Sequence, residues 1–210
     1  MFSLSSHTFR ARRTTTRRCV AAGGFGLIEL LVSISIIVLV TSLVLIRHSA
    51  FNSALLLRSQ TYEIALQTRE VQLFAVSAIG QGADFRNQFG VHFDTATDEN
   101  YRYAIFRDAN GDSYYSGTSE EFGGEQGFLD DRFEVRTIRM SGGADDGATP
   151  SELSVVFERP NFDARFFSAA NTELDAGRAE IDIARRGVTG TGPETLRTLE
   201  ITRTGQISVQ

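Results

Sequence analysis

Hydrophobic positions fall into two regimes along this chain. From Phe25 to Ile46 the residues are apolar or small and polar, with one charge, Glu29; Arg47 and His48 close the run. As a helix this stretch is roughly 33 Å long, enough to cross about 30 Å of hydrocarbon. Helical spacing continues beyond it. Leu55, Tyr62, Leu66 and Leu73 recur at steps of 7, 4 and 7, which places them on one face. Leu57, Ile64, Val71 and Ala75 form a second stripe, about 180° away at about 100° per residue. A helix with two apolar faces wants two partners: its own sheet, and neighbouring helices in an assembly. Complete burial within its own domain is the plainer alternative. Gly80 and Gly82 should stop the helix near Ile79.

Beyond that point the period changes to two. Phe89–Phe93 and Tyr101–Phe106 read as strands, as do Phe133–Met140, Leu153–Glu158, Ala179–Ala184, Leu196–Thr202 and Gln206–Val209. The Gly- and Asp-rich gaps at 108–131, 141–150 and 185–194 are too short to be separate domains. No internal repeat is present. The expected class is α+β: a long N-terminal helix packed on a mostly antiparallel sheet.

Charge adds a boundary at the N-terminus. Residues 1–24 are rich in Ser and Thr and carry Arg10, Arg12, Arg13, Arg17 and Arg18 with no acid. The 210-residue chain has net charge −5, but without those five Arg it has 16 basic residues against 26 acids, near −10. A general nucleic-acid binder needs a basic face, so nucleic acid is not an expected partner. Every cation is Arg, with no Lys at all, and nothing physical accounts for that. The five Arg beside the apolar run should stay cytoplasmic, with the rest of the chain outside. The single cysteine, Cys19, lies in this leader, so no disulfide or cysteine metal site is expected after it. Thr16-Arg17-Arg18 before it lacks the apolar and small residues of a lipoprotein site.

A basic leader followed by Gly24-Phe25-Gly26-Leu27-Ile28-Glu29-Leu30 resembles the processing site of type IV prepilins and prepseudopilins. Gly26 stands where that family usually has a small hydroxyl residue. The resemblance implies cleavage between Gly24 and Phe25, methylation of the new amine at Phe25, and use of Glu29 in filament assembly. The implied partners are a prepilin peptidase/methyltransferase, other pilin or pseudopilin subunits and an inner-membrane assembly platform. The implied location is the cytoplasmic membrane, single-pass, and then a filament. The parent machine stays open between a pilus, type II secretion and DNA uptake.

The divisions are then a leader at 1–24, a membrane half-helix at 25–46, an amphipathic half at 47–79 and a β-rich domain at 80–210. Val155-Val156-Phe157-Glu158-Arg159-Pro160 followed by an apolar strand, and the closing Leu199–Ile207 stretch with Gly205, look like the C-terminal half of minor pilins and H-type minor pseudopilins. These finish with a strand, a Gly turn and a last short strand. Some DNA-uptake members carry Arg after that Gly; Gln206-Ile207-Ser208-Val209-Gln210 has none.

An acid this deep in an apolar run is a functional candidate in its own right, because a lone charge in lipid is costly. Paired with the amine of Phe25 on an adjacent subunit, Glu29 can set register. An acid snorkelling to the interface is the plain alternative. A single-pass anchored binding domain that never polymerises is the rival reading of the whole chain, and such an anchor gains nothing from Glu29.

One loop suggests a metal. Asp108, Asn110 and Asp112 place oxygens at positions one, three and five of a calcium-type loop, with the Tyr114 carbonyl at seven. Position twelve is Ser119, with Glu120 next, and Ser113 stands where Gly is usual. A simple hairpin turning at Asn110-Gly111 between two aromatic-rich strands is the alternative. Tyr114 and Tyr115 are either sheet residues or contacts. No enzyme is expected: His7, His48 and His92 are scattered, and no nucleophile elbow or zinc motif occurs. Glu120-Glu121, Asp130-Asp131 and Asp145-Asp146 read as solvated acids. Gly187–Gly192 runs into Pro193 and reads as a flexible loop.

Overall fold

The computed structural model describes residues 26–77, 88–122, 127–157 and 160–210. The leader, Gly24, Phe25 and the expected helix stop near Ile79 lie outside the described residues. The chain divides into two units, the second being Leu45–Gln210. Its class is α+β. Helix α1 covers Leu27–Ser77, 51 residues. The described strands are β1 (Phe89–Asp94), β2 (Arg102–Arg107), β3 (Gly127–Phe128), β4 (Phe133–Ser141), β5 (Glu152–Phe157), β6 (Ala164–Ala169), β7 (Thr172–Leu174), β8 (Arg178–Arg185), β9 (Leu196–Thr202) and β10 (Ile207–Val209), with a 3-10 turn at Thr118–Glu120.

The carbonyl of Gly26 accepts from the N–H groups of Glu29 and Leu30, and this opens the helix. Leu27–Leu45 is 19 residues of mean hydropathy 2.6, with none of it buried, long and apolar enough to cross a membrane. Three serines of the span are satisfied within the helix. Ser33, Ser35 and Ser42 donate their hydroxyls to the carbonyls of Glu29, Leu31 and Val38, four residues back.

Within Leu45–Gln210 the two stripes of α1 part company. Leu57, Ile64, Val71 and Ala75 are buried in the domain core. Thr61 and Thr68 lie between them, also buried, and donate to the carbonyls of Leu57 and Ile64. The opposite stripe is exposed, from 44% for Tyr62 to 68% for Leu66. Polar clamps fix the packed face. Gln72 donates to the carbonyls of Phe162 (2.8 Å) and Gly205 (2.9 Å), and the Tyr103 hydroxyl donates to Gln67.

The strands form two antiparallel sheets where the alternation pattern suggested one. The first has the order β3-β2-β1-β5-β6-β7 and the second β10-β9-β8-β4. Strand β1 has both edges occupied, by β2 and β5, so β4 pairs with β8 instead. Alternation reports which face of a strand is buried; it does not say which edge pairs. The hairpin β6–β7 is absent from the strands expected by alternation, although the C-terminal resemblance carried an apolar strand after Pro160. Its sequence, Phe166-Phe167 between Arg165 and Ser168, has no clear period of two.

The main core lies between α1 and residues of both sheets, including Phe89, Val91, Phe93, Leu153, Val155, Phe157, Ile181 and Leu199. A second, smaller core forms on the other face of the first sheet from Phe106, Val156 and Phe167, with Tyr114 and Tyr115 packed against it. Strand β1 is therefore buried on both faces.

Candidate functional site

Glu29 falls in the first turn of α1 and is exposed. A carboxylate there is favoured by the partial positive charge of a helix N-terminus. Among the described residues its carboxylate has no ion-pair partner, so the position leaves it open to an external cation. Gly24 and Phe25, the expected cleavage and methylation residues, are outside the described residues.

The 108–122 segment is a loop that folds over the outer face of the first sheet. A simple hairpin at Asn110-Gly111 is not what forms. The strand that pairs next with β2 is β3, through Arg102 opposite Phe128, and Tyr114 and Tyr115 lie in no strand. The turn itself is present, with Gly111 at φ 81° and Ser113 at φ 60°. The acids hold this loop together from inside. Asp108, buried, accepts from the N–H groups of Gly111 (2.7 Å) and Ser113 (2.9 Å). Glu120, also buried, accepts from Ser116 (2.8 Å) and Ala109 (3.3 Å). Asp112 accepts from Tyr114 N–H at 2.9 Å, and Asn110 donates to Asp112 at 3.0 Å. The expected calcium ligands Asp108, Asn110, Asp112, Tyr114 and Glu120 thus share one short loop. Its carboxylates face the loop's own N–H groups, and calcium would compete with these bonds.

This loop roofs a pocket of about 270 Å3 lined by His92, Asp94, Glu99, Arg102, Tyr115 and Glu152, among others. The residues meet through strand register. On β1, His92 and Asp94 are two apart and share a face; on β5, Ser154 lies opposite His92 and Glu152 opposite Asp94. His92 is only 8% exposed. Its Nδ1 is 2.9 Å from the Ser154 hydroxyl. Burial lowers its pKa to about 4, with Asp94 opposing and Arg102 adding to the shift, so the ring is neutral at neutral pH. The loop adds Tyr114, whose hydroxyl donates to Glu152, and Tyr115, whose N–H donates to Ser154 Oγ at 3.1 Å. Both tyrosine rings pack on His92, with centroids at 5.4 and 5.0 Å. Burial, then the bond to Glu152, holds the Tyr114 phenol above its usual range.

None of His92, Asp94 or Glu152 stands out in the sequence as a site. The one available signal was a His-x-Asp pair on a strand of apolar residues, where polar side chains on a doubly buried strand need partners.

Compared with protein-family models, curated proteins and solved structures, the chain has no match in any of the three.

Proposed function

We propose that this chain is a type IV pilin-like structural subunit, a minor pilin or pseudopilin. In this reading residues 1–24 are removed by a prepilin peptidase and Phe25 is methylated. The subunit is held in the cytoplasmic membrane through the first part of α1, with its C-terminal domain outside. It then joins other subunits through α1, on an inner-membrane platform, in a pilus or secretion pseudopilus.

The observation that carries this reading is the surface of α1. Its apolar span is unburied and bears Glu29 in the first turn. Further along, one stripe is buried in the domain while Leu55, Tyr62, Leu66 and Leu73 are left exposed. A membrane anchor alone has no need for an apolar stripe outside the span. A subunit that packs against sister helices needs one, together with a charge whose partner is on the sister. In a lipid-like core the amine of a neighbouring Phe25 meets Glu29 in low dielectric, where pairing is strong and a lone charge costly.

The test is Glu29→Leu in cells that make the whole machine. The variant should insert and be cleaved to wild-type extent yet be missing from sheared filaments. Normal incorporation of Glu29→Leu, or a mature protein that retains residues 1–24, would end this reading.

A further inference from the structure

The pocket beneath the 108–122 loop has the composition of a metal site, and none of its lining residues lies on α1. Three donors of different residues converge there. The ligand atoms of His92, Asp94 and Glu152 lie within 4.8 Å of one another. Zinc binds imidazole nitrogen and carboxylate oxygen at about 2.0–2.2 Å, so small side-chain adjustments bring all three onto one ion.

Two features separate this cluster from an ordinary group of surface acids. The first is His92. It is more than nine-tenths buried, it lines the pocket, and its Nε2 has no hydrogen-bond partner among the described residues. That nitrogen is not sealed from the pocket, so its lone pair is available to an ion that enters. The second is the support around the donors. Ser154 Oγ already accepts the Tyr115 N–H and has a second lone pair for Nδ1–H of His92. With Nδ1 so bonded, the lone pair on Nε2 is the one left for an ion. Tyr114 holds Glu152, and the Ala96 N–H donates to Asp94 Oδ1 at 2.6 Å. Metal-ligating histidines usually have such an outer partner on the second ring nitrogen.

Charge fits as well. Asp94 and Glu152 together balance a divalent cation. Arg102, the cation at the pocket, is paired with Glu99. One imidazole with two carboxylates suits zinc better than calcium or magnesium, which prefer all-oxygen sites. We infer that His92, Asp94 and Glu152 form a three-ligand site for a divalent transition ion, zinc by its donor set, with Ser154 as the positioning residue for His92. The site joins β1 to β5 and leaves the fourth coordination position facing the pocket.

The experiment is a zinc titration of the full chain in detergent after chelator treatment, read by competition with a chromogenic chelator. One equivalent should bind with Kd below about 1 μM. His92→Gln and Glu152→Gln should each weaken it by at least about tenfold, and Ser154→Ala, which keeps all three ligands, by about 10–100-fold. Glu194→Ala, an exposed acid between β8 and β9, should leave zinc affinity unchanged, and a hundredfold excess of calcium should not displace the zinc. Circular dichroism checks that each variant is folded. If the ligand variants are not, Ser154→Ala and X-ray absorption at the zinc edge of the wild type decide, through the single-imidazole signature. Binding weaker than about 100 μM, binding that the folded ligand variants retain, or an edge spectrum without an imidazole would overturn the assignment.

Discussion

Gln72 is the side chain that fixes α1 to the far end of the chain. Its amide donates to two carbonyls, on Phe162 and Gly205, that accept no backbone N–H among the described residues. Gln72→Leu keeps the volume and strands both acceptors, so it should cost about 1–3 kcal/mol by chemical denaturation of the full chain in detergent. Gly205 itself sits at φ +80°, and a Cβ there would lie 1.8 Å from the Phe162 carbonyl oxygen. Gly205→Ala should therefore destabilise by more than the roughly 1 kcal/mol of a left-handed alanine alone, in the same assay. Asp108 shows how a residue can be singled out for one reason and placed for another. Its spacing from Asn110 and Asp112 suggested calcium, and in the fold both its oxygens take loop N–H groups. Asp108→Ala should cost about 2–4 kcal/mol in metal-free buffer, because two charge-assisted bonds are lost from a buried position.

At the scale of the element, α1 divides its labour by face. Ile64→Ala removes a fully buried side chain and should cost about 2–5 kcal/mol. Leu66→Glu, on the exposed stripe, should change the melting temperature little, since surface substitutions stay within about 0.5 kcal/mol. The same variant should be depleted from filaments, measured by its share in sheared material against the membrane pool. Stability lost with Leu66→Glu, or unchanged with Ile64→Ala, would contradict the assignment of faces. Both stripes were legible in the sequence because a period of 3.6 separates two faces unambiguously over six turns. So were the strands at 89–94, 102–107, 133–141, 152–157, 178–185, 196–202 and 207–209, to within a residue or two at their ends. The short β3 and β7 were not, since two or three residues carry no periodicity. In the loop over the sheet only the turn was legible, for a related reason. Asn110-Gly111 gives a turn, but what the chain does next depends on Tyr114 and Tyr115 finding the small core of Phe106, Val156 and Phe167. The His92 pocket arises from register, which pairs His92 with Ser154 and Asp94 with Glu152 across 62 and 58 residues of sequence. No local pattern records that.

Across the whole domain, the two sheets are joined at the chain segment after β9. Arg203 N–H donates to the Gly177 carbonyl before β8, and the Arg203 carbonyl accepts from Ala164 at the start of β6. Its guanidinium then reaches Asp175 at 2.6 Å and Glu173 at 3.4 Å, while Arg165 holds Glu173 at 2.7 Å. Hydrogen bonding from Arg165 keeps the Glu173 carboxyl below its usual range, against a smaller opposing effect of burial. Bonds from Arg132 likewise push Asp130 down to about 2. Both carboxyls are thus held below their unfolded range of about 4. Carboxylates of this kind bind fewer protons folded than unfolded, so their contribution is present in full above about pH 4.5 and is lost as pH falls towards about 2. The groups are partly exposed, which makes the effect modest and smaller at high salt. The melting temperature of the full chain in detergent should therefore be flat through these groups from pH 7 to about 5 and fall below about 4.5. Glu173→Gln should start lower at pH 7 and fall less steeply, because it no longer releases a carboxylate from Arg165 and Arg203. A melting temperature that holds constant to pH 2, or an unchanged slope in Glu173→Gln, would mean that the Arg network does not help hold the sheets together.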